Sequence, residues 1–113
     1  MQKANVTETK EFTDGAVKKV TYIKTDKLTE DTYYFNAGQV LAYHKHPTGD
    51  QIFFVQEGTG TYYLDADEGE ETTELKPGVA VLAPKDKWHK IVADTELVVS
   101  QATVQPAGLV QRD

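Results

Sequence analysis

The chain has 113 residues, a formal net charge of -6 and no cysteine. At this length one domain with one core is expected, needing neither disulfide nor structural zinc to fold. The missing cysteines exclude disulfide frameworks, thiolate metal sites and cysteine nucleophiles, and the acidic balance, with no basic run beyond Lys18-Lys19, argues against a nucleic-acid or anionic-membrane surface.

Residues 1 to 10 read as a polar arm. The opening MQKANVTETKEFTDG has no apolar signal core, and no apolar stretch approaches membrane-spanning length, so a soluble, cytoplasmic protein is expected. From residue 16 onward helical periodicity is absent, and short β-rich runs bounded by Gly, Pro, Asp or Asn recur. The first expected strand, Ala16 to Ile23, follows the Asp14-Gly15 turn. Thr32 to Phe35 ends at Asn36-Ala37-Gly38, Gln39 to His46 runs into Pro47-Thr48-Gly49-Asp50, and Gln51 to Gln56 stops at Glu57-Gly58. Thr61 to Leu64 and Thr72 to Leu75 flank the acidic stretch Asp65 to Glu71, which lacks EF-hand spacing and reads as a solvated hairpin turn. Val79 to Ala83 lies between Lys76-Pro77-Gly78 and Pro84-Lys85-Asp86; Trp88 to Ala93 and Leu97 to Thr103 complete the set. A second polar arm, residues 105 to 113, closes the chain, and both arms are expected to pack against a partner subunit. The class is all-β: a sandwich, a barrel or a jelly roll.

Three histidines occur, His44, His46 and His89. In His44-Lys45-His46, at the end of a strand, alternate side chains share a face, with Cα atoms about 7 Å apart. Two imidazoles can then lean toward one ion, and bonds of about 2.0 to 2.2 Å are met more readily inside a concave barrel than on a flat surface.

The stretch from Gly38 to Gly58, GQVLAYHKHPTGDQIFFVQEG, resembles the first cupin motif, G-x5-H-x-H-x3-4-E-x6-G, with Gln51 where that family usually has Glu. Gly78 to Ala93 resembles the second motif, G-x5-P-x-G-x2-H-x3-N, with Asp86 for Gly and Ala93 for Asn. Asp adopts the left-handed turn conformation that Gly supplies there, so the first of these changes is mild. The resemblance implies a single cupin domain over residues 1-113 with its motif core at 38-93, folded as a double-stranded β-helix, that is, a jelly-roll barrel. It also implies one divalent metal ion held by His44, His46, Gln51 and His89; imidazole and amide donors suit Zn, Fe, Mn or Ni. Gln51 is expected to coordinate through its carbonyl oxygen, the alternatives being a hydrogen bond to a metal-bound water or simple space filling.

Strand alternation predicts Gln51, Phe53 and Val55 inside and Ile52 and Phe54 outside, with Val40, Ala42, Ile91 and Ala93 in phase with the ligands. Asp50 points away; Trp88 and Tyr62 read as packing residues. The outer face is expected to carry Ile52, Phe54, Tyr43 and Tyr33 or Tyr34, an apolar patch that suggests a homodimer.

Three imidazoles and an amide leave a dication uncompensated by protein charge, which favours polarising a bound anion, enolate or water and welcomes a small polar or anionic ligand. An amide cannot replace Glu as a general base. A metal-dependent enzyme, dioxygenase- or isomerase-like, is therefore the leading expectation. The rival is a non-catalytic small-ligand binding or sensor module, favoured by the lack of an evident acid or base on the inward strands. A metal-free structural barrel fits the ligand placement poorly.

Overall fold

The computed structural model describes residues 1–112. Ten strands follow one another: β1 (Lys18–Lys24), β2 (Leu28–Phe35), β3 (Val40–Lys45), β4 (Gln51–Glu57), β5 (Gly60–Ala66), β6 (Gly69–Leu75), β7 (Ala80–Ala83), β8 (His89–Ala93), β9 (Leu97–Val104) and β10 (Val110–Gln111). Each expected strand is present. β2 starts earlier than its apolar residues suggest, the acidic stretch is the tip of the β5–β6 hairpin with Ala66 opposite Gly69, and β10 is an element that the polar composition of the C-terminal arm concealed.

Two five-stranded antiparallel sheets, ordered β1-β2-β9-β4-β7 and β10-β3-β8-β5-β6, face each other. Apart from the β1–β2 and β5–β6 hairpins, successive strands cross from one sheet to the other, and β9 returns to lie between β2 and β4, as in a jelly roll. The core lies between the sheets and contains Tyr33, Phe35, Phe53, Tyr62, Ile91 and Leu97. Burying each such side chain stabilises the fold by about 1.5–3 kcal/mol. β4 alternates as expected: Gln51, Phe53 and Val55 are buried, whereas Ile52 and Phe54 are exposed. Among the described residues no helix is long and apolar enough to cross a membrane.

Two expectations are corrected. In β3 the ladder to β8 shifts register between Leu41 and His44. This bulge breaks strict alternation, so Leu41 packs on the core while Val40 and Ala42 are exposed; Ile91 and Ala93 are buried with the ligands as expected. Neither Tyr33 nor Tyr34 belongs to an exposed patch. Tyr33 joins the core, and Tyr34 is sealed beneath the N-terminal arm, donating to the Val6 carbonyl at 2.7 Å with the Phe12 ring edge-on at 5.8 Å. Both arms also contact their own barrel. Arg112 stacks over Tyr43 and Trp88 and pairs with Asp65, while β10 pairs with β3, Gln111 opposite His44.

Candidate metal centre

His44 and His89 are direct partners across the β3–β8 ladder. The β3 bulge turns His44 inward, and His46 follows from the segment just past the strand. One nitrogen from each of the three rings lies within 4.8 Å of the others. The ring centroids are 4.2 Å apart for His44–His89, 5.2 Å for His44–His46 and 5.9 Å for His46–His89. Two donors on opposite sides of an ion bound at about 2.1 Å are about 4.2 Å apart, so only small ring movements separate this arrangement from a ligated one.

Backbone carbonyls settle which nitrogens are free. His44 Nδ1 is 2.8 Å from the Ala42 carbonyl, His46 Nδ1 2.6 Å from Gly108 and His89 Nδ1 3.1 Å from Lys87. A carbonyl only accepts, so each Nδ1 carries the proton and each Nε2 keeps its lone pair. Nε2 of His46 and of His89 are buried without any hydrogen-bond partner. Burial lowers all three histidines from their ordinary range. For His89 burial comes first and proximity to His44 second, bringing it down to about 3. The three rings are thus neutral near pH 7, as metal ligation requires.

Gln51 opens β4 on the opposite sheet and is 2% exposed. Its Nε2 donates to Thr103 Oγ1 at 3.0 Å, which leaves Oε1 buried and unpartnered. Gln51 and His46 line one cavity of about 150 Å³. An orphaned amide oxygen on the wall of the cavity that His46 also lines fits a hard or borderline divalent cation. A second cavity of about 400 Å³, also lined by His44 and His46, extends from this point between Leu41, Tyr43, Leu109 and Arg112.

Asp50 is exposed and accepts from the Lys85 amide at 2.8 Å. Tyr62 is buried and donates to the Leu82 carbonyl at 3.1 Å. Trp88 is flanked by Lys45 and Arg112. Asp86, at the position of the motif glycine, has φ of 62°.

One group escaped sequence reasoning. Asp31, 5% exposed, lines the smaller cavity with His46, Gln51, Gln101 and Thr103, and accepts from the Thr21 hydroxyl. The expected strand began one residue too late to include it. The alternation Thr29, Asp31, Tyr33, all three buried, was the signal. An acid therefore does stand on the inward face.

The fold and the histidine cluster together define a double-stranded β-helix with a candidate metal centre between its sheets. Residues 31–100 match the profile of the Cupin domain family, and the chain belongs to that family. No curated protein matches it in sequence. Among solved structures it is similar to an uncharacterized conserved protein with a double-stranded beta-helix domain from Klebsiella pneumoniae, at 19% identity and TM-score 0.88 over 100% of this chain and 98% of that one. It is also similar to an RmlC-like cupin protein from Desulfovibrio desulfuricans, at 25% identity and TM-score 0.82 over 92% and 96% of the two chains. KdgF from a Halomonas species is similar at 25% identity and TM-score 0.74 over 87% of each chain.

Proposed function

We propose that this cupin binds one divalent ion, Zn, Fe, Mn or Ni, through Nε2 of His44, His46 and His89 and Oε1 of Gln51, and that it is a mononuclear metal-dependent enzyme acting on a small polar or anionic molecule. The observation that carries this reading is the trio of Nδ1–H···O=C hydrogen bonds, which leave Nε2 unprotonated on three rings that lie together. A divalent ion bound there supplies Lewis acidity toward an oxygen-bearing substrate, undiminished by any anionic donor. Gln51, fixed by Thr103, orients its oxygen inward. Asp31, on the wall of the same cavity, is the group that takes or returns a proton, a role the amide cannot fill.

The test is a screen of metal-loaded protein against enolisable and catecholic compounds with oxygen uptake monitored. Turnover that depends on the metal and disappears in His89→Ala is the expected result. No turnover with any of the four metals, together with recovery of a bound ligand unchanged, would establish the binding or sensor module instead. The buried carboxylate at Asp31 favours the catalytic reading over that rival.

A homodimer is also proposed. Ile52, Phe54, Leu82 and Val104 are exposed on the outer face of β4, β7 and β9. Ile52 stands opposite both Leu82 and Ala102, and Phe54 opposite Ala80. An apolar patch of this kind is suited to a second copy related by a two-fold axis.

A further inference from the structure

The inner face of the β1-β2-β9-β4-β7 sheet carries cross-strand rows set by its register. Thr29, Thr103 and Gln51 stand side by side in one row; Thr21, Asp31, Gln101 and Phe53 form the next, one step deeper. Most polar atoms of the first row are engaged, Thr29 by Gln105 and Thr103 by Gln51. Gln101 is different. It is 1% exposed, yet its Nε2 has no hydrogen-bond partner. The Tyr33 hydroxyl is near enough to feel the Gln101 amide, but no hydrogen bond of acceptable geometry joins them. A buried donor left unmade is costly, and the nearby Tyr33 hydroxyl does not satisfy this one in good geometry.

We infer that Gln101 and Asp31 together read the ligand of this site, and that the ligand is a short-chain hydroxycarboxylic acid, polyhydroxylated ones included. Gln101 Nε2 donates to a ligand oxygen. The Asp31 carboxylate, its direct neighbour across the β2–β9 ladder, accepts from a ligand hydroxyl and repels a carboxylate from that end. The ligand's own carboxylate lies the other way, toward the metal and Lys19. Lys19 lines both cavities and makes no ion pair among the described residues. A volume of about 150 Å³ beside the ligands admits only a few non-hydrogen atoms, with the rest of a longer chain continuing into the larger cavity. This inference rests on the metal-dependent reading given above.

The test is calorimetric titration of zinc-loaded protein with glycerate, glycerol and propionate, with metal content measured in parallel. Glycerate is expected to bind roughly tenfold or more tightly than either of the others, because a site built around a hydrogen bond rejects the analogue that lacks it. Gln101→Met is expected to weaken glycerate roughly tenfold with zinc content unchanged. Asp31→Asn should weaken glycerate and leave propionate unaffected. Equal binding of the three probes by the wild type, or unaltered glycerate binding in both folded variants, overturns the proposal. If the variants do not fold, the wild-type comparison alone decides. If the wild type takes up no metal, the metal reading fails by itself. The same three probes on metal-free protein then judge the pair: a retained preference for glycerate sustains it, and no preference overturns it.

Discussion

His44 stands directly across the β3–β8 ladder from His89, with the two rings 4.2 Å apart. The β3 bulge makes this meeting, since without it the residue facing inward would change. Removing one ring from so small a cluster should remove the site. Equilibrium dialysis followed by elemental analysis is expected to show metal uptake by the wild type and its loss in His89→Ala. Gln51→Leu, which keeps the imidazoles, should weaken uptake roughly ten- to hundredfold without abolishing it. Undiminished uptake by His89→Ala would show that this ring is not a ligand.

The protonation states carry a second prediction. Burial lowers all three histidines in the folded chain, His89 to about 3 from an ordinary 6.5. Between those two values the unfolded chain binds more protons than the folded one, so stability rises with pH there. The contribution is complete above about 6.5 and is lost progressively as pH falls toward 3. Urea unfolding of metal-free protein should therefore show a stability lower at pH 4.5 than at pH 7, on the order of a few kcal/mol. Metal release should accompany the same acidification, because protonated rings cannot ligate. A flat stability profile over this range would contradict three buried neutral imidazoles.

Two motif glycines separate two physical reasons for glycine. Gly38 and Gly58 both have positive φ, +84° and +86°. A Cβ at Gly38 meets nothing within 4 Å, whereas one at Gly58 would lie 1.8 Å from the Glu96 carbonyl oxygen. Gly38→Ala should cost only the left-handed backbone penalty, about 1 kcal/mol. Gly58→Ala adds a clash with main chain and should cost well above that, about 3 kcal/mol or more. Denaturant melts of the two variants give the comparison, and equal losses would argue against the close approach of the β4–β5 turn to Glu96.

The strands were legible from their turn residues, and the four candidate ligands from the resemblance of Gly38 to Gly58 and Gly78 to Ala93 to the two cupin motifs. His44, His46, Gln51 and His89 sit at fixed intervals from glycines whose backbone conformations the turns demand. What escaped was whatever depends on register. Nothing local to Val40 and Ala42 reveals that the ladder slips beside them. Asp31 follows Glu30 and reads as loop, yet it is buried because β2 is central and pairs on both sides. Tyr34 looks outward by alternation and does so, but the N-terminal arm covers it. Likewise β10 owes its pairing to backbone contact with β3 rather than to apolar content.

The outer face of β4 and β7 bears on assembly. Ile52 and Phe54 are 40% and 44% exposed, and Leu82 is 54% exposed. They are adjacent across the β4–β7 ladder, so their apolar surfaces merge into one patch rather than lying scattered. Light scattering should give twice the mass of the chain. Phe54→Lys, which places a charge in the middle of that patch without disturbing the core, should give the single-chain mass with an unchanged circular dichroism spectrum. The centre is lined from the opposite, inner face, so metal uptake should persist in the variant. A wild type of single-chain mass at micromolar concentration would remove the dimer, and a Phe54→Lys protein that remained dimeric would move the interface elsewhere.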